Sequence, residues 1–220
     1  MKKILFTILM IVALLFPLGA FGATLNSLRD SFNDNSLAAV WAFWGGTTNA
    51  EANTNIEITS VLAGAYGGMD SGISVFDATG GFASVQVKDA GNQALASLEV
   101  YPIQLDQDAT NNVFFLIAGN ALYAYKTVAG TPTQLATVAY NSSTMKYVRI
   151  REAGGTTFWQ YSANGLYWAT LHSAANPITM TAVSVQVFIG TYAVELSTTT
   201  VKFDNFNIRP NSGSFFTHFF

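Results

Sequence analysis

Two carboxyl groups held roughly 5 to 10 Å apart can hydrolyse a glycosidic bond, and the closest acidic pair in this chain is Asp106 and Asp108, in the turn-like run LDQDATNN. The remaining acids are scattered. His172 and His218 are the two histidines, and no G-x-S-x-G elbow accompanies them, so a serine nucleophile with its base is not in view. His172 falls at a strand end and reads as a surface residue. Cysteine is absent, which removes disulfides, lipoprotein attachment and thiolate chemistry. What the chain does hold is aromatic side chains among Ser, Thr, Asn and Gln. Sugars expose apolar C–H faces beside dense hydroxyls, so rings flanked by amides and guanidinium groups are the chemistry that recognises them.

The elements that must position those rings are strands. Apolar and polar residues alternate in short runs such as NIEITSV, FASVQVK, NVFFLIA, ALYAYKTV, YVRIRE, TFWQYS and AVSVQVFIG, separated by turn pairs at Gly80-Gly81, Gly119-Asn120, Gly154-Gly155 and Asn164-Gly165. Spacing of this kind predicts an all-β sandwich of a dozen or so strands in one domain.

Strand parity then sorts the side chains. With Gly119-Asn120 as a two-residue turn, Val113, Phe115, Ile117, Leu122 and Ala124 share the inner face. Phe114, Leu116, Tyr123 and Tyr125 are left outside. In AVSVQVFIG, Val183, Val185, Val187 and Ile189 point inwards, with Ser184, Gln186 and Phe188 outwards. Two-residue turns at Gly154-Gly155 and Asn164-Gly165 put Val148, Ile150, Trp159, Tyr161 and Trp168 on one apolar face and Arg149, Arg151, Phe158, Gln160, Ser162 and Tyr167 on the other. A three-residue loop at either turn would invert one strand.

Residues 1–22 begin with Lys2 and Lys3, continue through an apolar run and reach small residues at Ala20 and Gly22, the layout of a cleaved secretory signal peptide. The body of the domain is expected over residues 23–209, with a Phe-rich tail over 210–220 in which Pro210 and Gly213 interrupt any strand. Ten basic and thirteen acidic residues leave a lightly charged, modestly acidic chain with no basic footprint for nucleic acid. No membrane span is expected once the signal is removed.

The ordered segments DSFNDNSLAAVWAFWGG, LYAYKTVAGTPTQLATVAYN, RIREAGGTTFWQYSANGLYWATLHS and VKFDNFNI together resemble the bacterial concanavalin A-like lectin/glucanase jelly rolls, a group that includes laminin-G-like modules. The resemblance covers nearly the whole chain after the leader. It implies two curved antiparallel sheets, first and last strands side by side, and Phe32, Trp41 and Phe203 or Phe206 closing the core. The E-x-D-x-x-E run of the glucanases in that group is absent here. A structural calcium ion is common in it, which makes Asp30, Asp34 and Asp204, or else Asp106, Asp108 and Asn111, the candidate oxygen ligands. Local capping of turns by these Asx residues is the preferred alternative. No other cofactor is expected.

The reading that follows is a secreted, non-catalytic carbohydrate-binding module. Its expected ligand contacts are Phe114, Tyr123 and Tyr125 for stacking, with Arg149, Arg151, Gln160, Tyr167 and Gln186 as polar flanks. Two other readings stay open. One is an exported structural or adhesive subunit that associates with itself or another protein through the apolar outer face; the other is a glycoside hydrolase.

Overall fold

Every second residue of the alternating runs is apolar, so a pleated strand collects them on one side and must bury that side against another sheet. The computed structural model describes residues 23–72 and 75–210. Its strands are β1 (Ala23–Thr24), β2 (Ala42–Gly45), β3 (Thr48–Ala52), β4 (Asn55–Thr59), β5 (Tyr66–Asp70), β6 (Phe76–Asp77), β7 (Phe82–Asp89) and β8 (Leu98–Asp108). They continue as β9 (Asn111–Ala118), β10 (Ala121–Val128), β11 (Thr131–Ala139), β12 (Tyr147–Ala153), β13 (Thr156–Ser162), β14 (Ala169–Ala175), β15 (Ser184–Thr191) and β16 (Thr200–Asp204). The expected leader, residues 1–22, and the tail beyond Pro210 lie outside the described residues.

Two seven-stranded antiparallel sheets form the sandwich. Sheet I runs β11-β10-β9-β8-β15-β5-β2, and sheet II runs β14-β13-β12-β7-β16-β4-β3. A small parallel ribbon of β1 and β6 lies beside them. The core is built from the inner faces: Val113, Phe115, Ile117, Val185, Val187 and Ile189 from sheet I meet Val85, Val148, Ile150, Val201 and Phe203 from sheet II. Trp159 is fully buried, and its indole Nε1 donates to the Phe114 carbonyl of the opposite sheet at 3.1 Å.

The first and last segments meet as expected. Asp30 and Phe206 form an antiparallel bridge, the Asp30 amide donating to the Phe206 carbonyl at 3.0 Å. Phe32, Trp41, Phe203 and Phe206 all lie in the core. Asn207 clasps this end. Its Nδ2 donates to the carbonyls of Leu25 (3.0 Å) and Leu28 (2.9 Å), and its Oδ1 accepts from the Ser84 amide at 2.7 Å. It holds a positive φ of 52°, a conformation Asn tolerates better than most residues.

The turn at Gly119-Asn120 is two residues long, with Ala118 opposite Ala121, and all five residues assigned inwards there are in the core. Gly154-Gly155 behaves the same way, pairing Ile150 with Trp159 and Val148 with Tyr161. Asn164-Gly165 does not. Ser162 Oγ accepts from the amides of Asn164 and Gly165, and Asn164 Oδ1 accepts from those of Leu166 and Tyr167. These bonds support a long loop between β13 and β14, so Tyr161 pairs with Ala169 instead of Trp168. Trp168 therefore leaves the core face to which parity assigned it and lies under Arg149 on the outside.

Candidate functional site

Outward residues of sheet I are brought together by the ladder, across strands far apart in sequence. One row reads Gln134, Tyr125, Phe114, Gln104, Gln186 and Asp70. The row beside it places Tyr123 opposite Leu116, and puts Tyr101, Phe188, Gly68 and Trp44 in register. Rings consequently touch in sequence across the sheet: Trp44 to Phe188 at 5.5 Å, Phe188 to Tyr101 at 4.2 Å, Tyr101 to Phe114 at 5.5 Å, Phe114 to Tyr125 at 5.2 Å and Tyr125 to Tyr123 at 6.0 Å. The stripe crosses six strands, about 24 Å at the usual strand spacing.

Two glycines permit this packing. A Cβ on Gly68 would lie 2.6 Å from the Phe188 Cβ, and one on Gly190 would lie 2.0 Å from the Tyr66 ring. With hydrogen in those places, Trp44 closes on Phe188, and Tyr66 lies over Gly190 with its hydroxyl on Glu99.

Polar groups border the stripe on both sides. Glu99 Oε2 accepts from the hydroxyls of Tyr66 (2.6 Å) and Tyr101 (2.9 Å). Burial first, and then this carboxylate, hold both phenols well above their usual range. On the other side Gln104 Nε2 donates to Asp106 Oδ1 at 2.7 Å, while Asp106 Oδ2 has no partner. Asp106 is 9% exposed, and burial pushes its carboxyl up to about 6 against the hydrogen bond from Gln104. Tyr125 donates to Gln134 at 3.2 Å.

Of the expected ligand residues, Phe114, Tyr123, Tyr125 and Gln186 fall on this face. Arg149, Arg151 and Gln160 do not, because β12 and β13 belong to sheet II and turn these side chains to its outer surface. The two groups stand on opposite sides of the sandwich and cannot contact one ligand. Gln160 is buried there, its Oε1 accepting from Arg149 Nε (3.0 Å) and Nη2 (2.7 Å). Tyr167 is in the β13–β14 loop, 81% exposed. Phe114, at 8% exposed, is covered by Tyr101 and Tyr125 and supports the stripe from beneath.

Trp44, Tyr66, Glu99 and Tyr101 complete the face without having been singled out from sequence. Alternation in LEVYPIQL, with Val100 inwards, points Glu99 and Tyr101 outwards; only the strand order shows that β8 sits beside β9 and β15.

The proposed calcium ligands do not assemble. Asp30 Oδ1 accepts from the Phe32 amide and Asp34 Oδ1 from that of Ser36, whereas Asp204 pairs with Lys88 at 3.5 Å. Asp108 takes up Asn111 and Thr110 as a turn cap. Among the described residues no three acidic or histidine side chains are placed to hold a metal ion. Nor is any helix there long and apolar enough to cross a membrane.

No protein-family model and no curated protein matches the chain. Solved structures do. A GH43 protein, BlXynB mutant K247S from Bacillus licheniformis, superposes with a TM-score of 0.58 and 11% identity over 81% of this chain, which spans 38% of that protein. The VIP36 exoplasmic/lumenal domain in its Ca2+/Man3GlcNAc-bound form gives 0.52 and 11% identity, covering 80% of this chain and 89% of that one. A CBM2 module of the evolved Dit of Lactobacillus casei BL23 phage J-1 gives 0.50 and 10%, covering 83% and 96%. At such identities the likeness is one of fold alone, a two-sheet antiparallel β-sandwich.

Proposed function

We propose that this protein is a secreted, non-catalytic carbohydrate-binding module that holds a neutral glycan on the outer face of sheet I. The observation that carries the reading is the unbroken run of rings from Trp44 to Tyr123 with Glu99, Gln104, Gln186 and Gln134 along its edges. A fold neighbour with bound Man3GlcNAc and a CBM2 module of the same fold support it. The rings at the ends of the stripe, Tyr123 with Tyr125 and Trp44, supply the stacking, and the amides supply hydrogen bonds to hydroxyls. Hydrolysis is not part of the proposal, since the Glu99 carboxylate is engaged by two tyrosine hydroxyls.

Affinity electrophoresis against a panel of neutral polysaccharides tests this. At least one should retard the protein, with Tyr123→Ala and Tyr125→Ala each weakening retardation about tenfold, the effect expected for losing ~1 to 3 kcal/mol of ring stacking judged by alanine substitution of aromatic platforms. Free migration in every gel would sink the proposal.

Self-association through the same face is the second reading. It is favoured by the near-parallel pairs, 9° between Tyr101 and Phe188 and 6° between Phe114 and Tyr125, in which each ring already has one face covered by an aromatic neighbour. Light scattering over a concentration series separates the two, because a constant monomer mass removes this alternative.

A further inference from the structure

The outer face of sheet II holds a second, differently charged feature. A cleft of 280 Å³ opens there, lined by Phe82, Tyr147, Arg149, Trp168, Arg209 and Pro210 among others. Its volume is at the small end for ligand pockets and suits a single ring. Arg149 forms one wall. Gln160 grips its Nε and Nη2, and the Trp168 ring lies 4.1 Å from the guanidinium carbon, so the group is held in place before any ligand arrives.

No acid answers it. The ion pairs among the described residues are Lys88–Asp204 and Lys202–Glu57, and neither involves an arginine. All thirteen acidic side chains lie within the described residues. Glu152, next to Arg151 in sequence, points to the other face and is taken by the amides of Gly80 and Gly155 and by Asn176. Asp204, whose charge reaches Tyr147, is tied to Lys88. Arg151 spreads over Phe158 at 4.8 Å, and its Nε is buried without a partner. Burial, Arg151 and Arg209 bring Arg149 down to about 10, so it remains a cation at neutral pH while its neighbours repel it. A fixed, half-buried guanidinium beside two more is an arrangement that an anion relieves, and a planar guanidinium fork matches a carboxylate.

We infer that the Arg149 cleft is a second binding site, for the carboxylate-bearing ring of an acidic saccharide such as a uronate. The carboxylate meets the remaining N–H groups of Arg149 and the Arg209 guanidinium. The sugar ring rests against Phe82 and Tyr147. This site lies across the sandwich from the aromatic stripe and does not depend on the reading given to that stripe.

The test is isothermal titration of the full chain with galacturonate, polygalacturonate, galactose and sodium sulfate. Galacturonate and its polymer should bind, and galactose should show no binding that depends on Arg209. Arg209→Gln, at an exposed position where folding is not at stake, should weaken binding about tenfold. Arg149→Lys, which keeps the charge and loses the fork, should do the same. Galactose binding that Arg209→Gln weakens equally, no binding of either uronate, an unaltered uronate affinity in Arg209→Gln, or sulfate binding as tightly as galacturonate would each overturn the assignment.

Discussion

Asp106 is a carboxyl group in a place where ionisation is costly. It is nearly out of solvent, one oxygen rests on the Gln104 amide, and the other has no partner. Because its folded value of about 6 lies above the ordinary 3.8, the native state binds a proton more tightly than the unfolded chain does. Stability is therefore lost as pH rises from about 4 through 6, and regained on acidification through the same window. The shift corresponds to about 3 kcal/mol. Asp106→Asn keeps an acceptor for Gln104 and removes the charge, so it should stabilise the protein at pH 8 by up to that amount and leave it almost unchanged at pH 4. Urea melts at the two pH values measure this. A variant equally stabilised at both would show that the charge is not what Asp106 costs.

At the scale of the element, the hairpins explain what the sequence made legible and what it did not. Around Gly119-Asn120 and Gly154-Gly155 the turn residues set the register, and alternation then places Phe114, Tyr123, Tyr125, Arg149 and Arg151 on the outer surface. The Asn164 loop escaped the same logic because Ser162 and Asn164 bond local amides and lengthen the turn, which carried Trp168 from the core to the cleft. Alternation also says nothing about which sheet a strand joins. Gln160 and Gln186 looked like flanks of one site and lie on opposite surfaces. Trp44 and Tyr101 lie far apart in sequence, yet both touch Phe188.

Trp159 joins the two sheets by a directed bond as well as by packing. Trp159→Phe should orphan the bond from Nε1 to the Phe114 carbonyl and leave a void, at a cost of roughly 1 to 3 kcal/mol for the hydrogen bond alone. Chemical denaturation gives the loss. Unchanged stability would show that the indole bond contributes nothing to holding the sheets together.

Across the whole molecule, charge is sorted by face. Asp70, Glu99 and Asp106 occupy outward positions on sheet I, whereas Arg149, Arg151, Lys88 and Lys202 occupy those of sheet II, where Asp204 and Glu57 offset only the lysines. An acidic polymer should thus be drawn to one side and turned away from the other. Raising salt from ~0.01 M to ~0.15 M shortens the screening length from about 30 Å to about 8 Å. Uronate binding at the Arg149 cleft should weaken over that range while retention on a neutral glycan holds steady. If both fell together, the sorting of charge would have no bearing on recognition.

The bridge between Asp30 and Phe206 has a mechanical meaning. Its antiparallel sense sends the segments leading away from it in the same direction, side by side, with Asn207 fastening them to Ser84 and to the Leu25–Leu28 stretch. Tension applied to those two segments would meet these bonds one after another, as in a zipper, and not all at once in shear. Anchored by its ends to something that moves, the domain would open from this corner first, at low force, with both sheets behind the corner still closed.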